Sequence, residues 1–163
     1  MTRIALTLFV ALFTLGTAFA EPPTRIDIEQ TVIKMPLAPD VSMDDAIDSM
    51  KLRANMVNMM FVAHQPLSTQ LEKMGFESKR LEIFQFCDPI TAGKMVKHNS
   101  IFAAYMPCRI ALVEEEDGQA YLMMLNLDML IAGAELNDEL KDLAVEVNDK
   151  LTEIMTAGAN GDL

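Results

Sequence analysis

Two alternating apolar runs, Cys108 to Glu115 and Gln119 to Leu125, flank the dipeptide Asp117-Gly118. An Asp-Gly step supplies the backbone geometry of a tight hairpin, and two-residue alternation gives each strand one apolar face. This stretch therefore commits the chain to antiparallel pairing and to a sheet face that must be covered. A cover is written near the C-terminus. Leu136, Leu140, Leu143, Ala144, Val147, Leu151 and Ile154 recur at helical spacing behind Asn137, which predicts an amphipathic helix to about Met155. Glu146 and Lys150 fall on its polar side, where truncation to alanine is expected to be nearly silent.

The remaining segments fit the same plan. Arg25 to Lys34 alternates through Ile26 and Ile28 and reads as a strand, interrupted by Pro36 and Pro39. Ser42, with Asp45 three residues on, caps a helix whose apolar face is Met43, Ala46, Ile47, Met50 and Ala54. Val57 to His64 is an apolar run expected to be a buried strand, and Leu67 to Met74 a helical turn closed by Gly75. Arg80 to Cys87 reads as a strand. Asp88-Pro89 then starts a helix to about His98, with Asp as cap and proline in the first turn. A connecting turn covers 101–105, and a short helical piece runs from Leu127 to Ile131. The order β-α-β-β-α-β-β-α argues one α+β domain over 25–157, with helices packed on an antiparallel or mixed sheet. Residues 158–163 are expected to be a flexible tail.

Residues 1–20 are set apart. Arg3, an uncharged apolar run from Ile4 to Leu15, the breaker Gly16 and the small residues Ala18 and Ala20 make a cleavable signal peptide. The mature chain would start at Glu21 and work in the periplasm or outside the cell. The apolar run is too short for a spanning helix, and nothing later is long and apolar enough, so no membrane association is expected after cleavage. With 24 Asp and Glu against 13 Lys and Arg the net charge is −11. Such a field repels phosphate backbones, so nucleic acid is not an expected partner.

The chain has no Gly-rich phosphate loop, nucleophile elbow, HExxH or CxxC, and only two histidines. No nucleophile–base set is visible, so an enzyme is not the expectation. Glu114-Glu115-Glu116-Asp117 is a solvated turn without the ligand spacing of a calcium loop. The 14 methionines sit mostly at positions that read as buried faces, Met43, Met50, Met123 and Met124 among them.

Cys87 and Cys108 carry the remaining chemistry, and three readings of them stand. In an oxidising compartment they pair as a structural disulfide, closing a loop of about twenty residues worth about 3 kcal/mol in the chain-entropy model. Alternatively, Cys87, Met95, His98, Met106 and Cys108 supply thiol, thioether and imidazole donors within one segment, a set suited to copper(I). Third, Cys87 beside a helix N-terminus would have a lowered pKa, as a redox dithiol requires.

At these residues the chain resembles the bacterial family called domain of unknown function 302. The likeness rests on Phe86-Cys87-Asp88-Pro89, then Ala92, Met95 and Asn99, then Met106-Pro107-Cys108-Arg109-Ile110 and the Asp117-Gly118 hairpin. It covers roughly residues 57–131; Asp88 stands where the family often has Asn. The resemblance implies a compact α+β fold similar to the TATA-binding-protein-like arrangement and a homodimer, and it carries no established activity. Two functions follow as expectations. One is a non-enzymatic module that binds a small ligand or a periplasmic partner. The other is a thiol-based accessory factor for copper(I) handling or redox relay.

Overall fold

The computed structural model describes residues 25–162; the signal peptide, with Ala18 and Ala20, lies outside them. Five strands form one antiparallel sheet: β1 (Val32–Pro36), β2 (Met60–Pro66), β3 (Leu81–Cys87), β4 (Cys108–Glu114) and β5 (Ala120–Leu125), in spatial order β1-β5-β4-β3-β2. Every pairing is antiparallel. The helices are α1 (Met43–Met56), α2 (Leu67–Lys73), α3 (Pro89–His98), α4 (Leu127–Gly133) and α5 (Asp138–Asn160), with short 3-10 helices at Ile28–Thr31 and Ser100–Tyr105. This is the single α+β domain that the pattern predicts.

Alternation puts Phe84 and Phe86 of β3, Ile110 and Leu112 of β4, and Ala120, Leu122 and Met124 of β5 on one buried face. α1 and α5 pack on each other and complete the core with Ala46, Met50, Ala54, Leu151, Ile154 and Met155. Their starts are fixed locally. Ser42 and Asp45 form a reciprocal capping box on α1, and the Asn137 side chain accepts from the Leu140 N–H at 2.9 Å on α5. The hairpin turns through Gly118 at φ +85°, with the Asp117 carboxylate accepting from the Gln119 N–H. Glu82, the buried carboxylate of β3, is held by Arg80 and His64.

Three expectations fail. The first strand does not begin at Arg25: the Asp27 carboxylate accepts from the Glu29 N–H and turns the chain into a 3-10 helix, leaving Ile26 and Ile28 exposed. β1 starts at Val32 and includes Pro36, which an edge strand tolerates because its outer N–H has no ladder partner. The run at Val57–His64 is not a buried strand. Val57 caps α1, Met59 alone is buried, and the strand is an edge on which Met60, Phe61 and Val62 are exposed.

The third failure concerns 158–163. α5 continues to Asn160 with Ala157, Gly158 and Ala159 buried, and the Ala159 carbonyl accepts from the Ala38 N–H at 2.8 Å. Gly161, at φ +69°, ends the helix in the left-handed conformation. Small residues here serve close packing instead of a tail: a Cβ on Gly158 would lie 2.5 Å from Met50 Cγ.

Candidate functional site

The β3 strand ends at Cys87 and β4 begins at Cys108, and the register pairs Phe86 with Cys108. Cys87 is thus one residue beyond the partner of Cys108, a diagonal placement across neighbouring strands. Between the two, α3 and the 3-10 helix form an excursion over the end of the sheet. Asp88 fixes its start: Oδ1 accepts from the N–H groups of Ile90 (3.0 Å) and Thr91 (3.1 Å), and Oδ2 from Thr91 Oγ1 (3.0 Å). Lys150 of α5 donates to the same Oδ2 at 2.9 Å, pinning the excursion to the last helix.

A cavity of about 340 Å³ lies between this excursion, α4, α5 and the strand ends. Cys87, Cys108 and Met59 reach it from the sheet side, and Ala92, Met95, Phe102, Tyr105 and Met106 from the excursion. Leu127, Leu130 and Ile131 of α4 and Ala144 and Val147 of α5 close the far wall. Asp88, Asn99 and Glu135 are its polar and charged side chains.

Both cysteines are free thiols. Burial pushes the Cys108 thiol up to about 11, with Cys87 adding to the rise and Arg109 opposing it. Burial and then the Asp88 charge push Cys87 up as well. The lowered pKa expected of Cys87 is therefore corrected. The cap carboxylate occupies the helix N-terminus first, and its charge opposes a thiolate next door. Asp88 itself is raised by burial, but the hydrogen bonds from Lys150 and Thr91 prevail and hold it below the usual carboxylate range.

Of the five proposed metal donors, Cys87, Met95, Met106 and Cys108 line the cavity, and His98 does not. The His98 Nε2 faces Glu139 of α5 at 3.3 Å. Among the described residues no three His, Cys, Asp or Glu side chains gather as a metal site, and no helix is long and apolar enough to cross a membrane. The residues that carry the family likeness converge: Cys87, Asp88, Ala92, Met95, Asn99, Met106 and Cys108 all line this cavity. Sequence reasoning missed Met59 and the α4 wall. An apolar stripe looks the same whether it faces a core or a cavity, and α5 does both. Leu136, Ala144 and Val147 lie on the stripe predicted for it and face the cavity, while Leu151 and Ile154 are core.

The architecture is that of a two-layer α+β domain with a sulfur-bearing cavity at one end of the sheet. The family model for "Domain of unknown function DUF302" matches residues 33–158, and the chain belongs to that family. Among solved structures it is similar to the "uncharacterized conserved protein DUF302 from Bacillus stearothermophilus". The TM-score is 0.67 and the identity 16%, over 78% of this chain and 97% of that one. At that identity the likeness speaks for the fold. No curated protein matches the chain.

Proposed function

We propose that this chain is an exported, non-enzymatic binding module that takes a small, largely apolar molecule into the cavity beside Cys87 and Cys108. The cavity itself carries the reading. About 340 Å³ of space walled by Met, Leu, Ile, Val, Ala and aromatic side chains, with three polar or charged groups, has the size and chemistry of a small-molecule site. Export rests on Arg3, the apolar run and the Ala18 and Ala20 pattern. In an oxidising compartment the two cysteines would tie β3 to β4 beneath the ligand.

The test uses the mature protein and the neutral fluorophore N-phenyl-1-naphthylamine. The wild type should take it up saturably. Ala144→Phe, which fills the far wall, should abolish uptake while the melting temperature is kept. Equal uptake by both proteins, or none by the wild type, refutes the reading. A periplasmic species with an N-terminus other than Glu21 refutes the cleavage assignment.

A further inference from the structure

The two cysteines and three of the methionines, Met59, Met95 and Met106, bring five sulfur side chains to the wall of one cavity. The fold gathers them from four places: the loop before β2, the end of β3 with the start of β4, the middle of α3, and the segment leading into β4. Burial of methionine alone would not select the neighbourhood of both thiols. We propose that the reduced protein binds one Cu(I) ion in this cavity, between the thiolates of Cys87 and Cys108, with a methionine thioether from Met95 or Met106 as the third donor.

The donor chemistry supports that metal over others. Thiolate and thioether are soft ligands that favour Cu(I). Octahedral oxygen-preferring cations would find only Asp88, already taken by Lys150 and Thr91, with Asn99 and Glu135. His98 is turned to Glu139, so the imidazole of the original donor set takes no part. Binding is a proton exchange without electron transfer. Each thiol releases its proton to solvent as its sulfur bonds the metal, copper stays Cu(I), and the thioether adds no charge. An existing Cys87–Cys108 disulfide would block the site, so reduction must precede loading. The inference goes beyond uptake of an apolar molecule and stands or falls separately from it.

The experiment is an anaerobic titration of the reduced mature protein against Cu(I) held by bicinchoninate. One equivalent should leave the chelator, and X-ray absorption should show a shell of sulfur only. Cys87→Ser and Cys108→Ser should each weaken retention by about 100-fold or more, and the double Met95→Leu, Met106→Leu variant by about 10-fold. His98→Ala should change nothing. No transfer of copper to the wild type overturns the inference, as does a nitrogen or oxygen shell, or retention insensitive to the cysteines. The wild-type absorption spectrum decides the matter even if a variant fails to fold. Uptake of N-phenyl-1-naphthylamine by the cysteine variants reports separately on the cavity.

Discussion

Cys108 is a largely buried thiol whose main neighbours are another thiol and an apolar wall, and that fixes a pH dependence. In the unfolded chain it ionises near its ordinary value of about 9; in the fold, burial and Cys87 delay this to about 11. Between those values the folded state holds a proton that the unfolded state has lost. The stability is complete below about pH 9 and is lost as pH rises through 11, by an amount on the order of 2 kcal/mol. Thermal melts of the reduced protein from pH 8 to 11 should fall more steeply for wild type than for Cys108→Ala; parallel curves would show the thiol to be solvated. Lys150 teaches a second lesson at this scale. On the helical wheel it is a surface residue beside Glu146, and the sequence offers no sign that Asp88, sixty-two positions away, will meet it. The side chains of the Lys150–Asp88 pair are only 18% and 12% exposed, whereas Glu146 is 51% exposed. Lys150→Ala should therefore cost about 1–2 kcal/mol in denaturant unfolding, and Glu146→Ala only a few tenths. Equal effects would mean the pair is a surface contact after all.

Elements were legible wherever their ends are coded locally. The Ser42 box, the Asp88-Pro89 start, the Asn137 cap and the Asp117-Gly118 hairpin all appear as the residues announce them. The misplaced elements are those whose fate depends on distant partners. An apolar run such as Met60–Val62 does not state whether a further strand will cover it; here it is an edge. The run Ala157-Gly158-Ala159-Asn160-Gly161 has the composition of a fraying end, yet its small residues let α5 approach α1 and β5. A pair of glycine substitutions separates the two meanings. At Gly158 a new Cβ would meet Met50 Cγ at 2.5 Å, Leu122 Cδ1 at 2.9 Å and the Ala46 carbonyl at 3.2 Å. At Gly93, within α3, it would meet nothing within 4 Å. Gly158→Ala should destabilise by about 1–3 kcal/mol through overpacking, and Gly93→Ala should stabilise by about 0.5–1 kcal/mol through helix propensity. Chemical denaturation reads both. A stabilised Gly158→Ala protein would show that the end of α5 is loose.

For the whole molecule, stability is unevenly distributed, and the cavity lies on the weaker side. The sheet face over α1 and α5 holds nearly all of the fully buried large side chains, and α5 alone buries eight residues. The other walls are thin: α3 buries only Thr91 and Met95, and neither Ser100–Tyr105 nor α4 buries any residue. Short helices with little buried surface open locally at a lower free-energy cost than the core they lean on. Sequence periodicity could not reveal this division, because Ile101, Phe102, Leu127 and Leu130 are as apolar as core residues and differ only in what stands opposite them. In the empty protein, amides of α3, the 3-10 helix and α4 should exchange with deuterium at least about 10-fold faster than those of β4 and the second half of α5. Occupancy of the cavity joins these walls through one shared ligand, so their opening must then break contacts made only in the closed form. Loading with N-phenyl-1-naphthylamine, or with Cu(I) under reducing conditions, should therefore slow exchange in the walls and leave β4 unchanged beyond its first residues. Exchange equally slow in walls and core of the empty protein would contradict the division. Slowing spread evenly over all elements would place the ligand elsewhere than in this cavity.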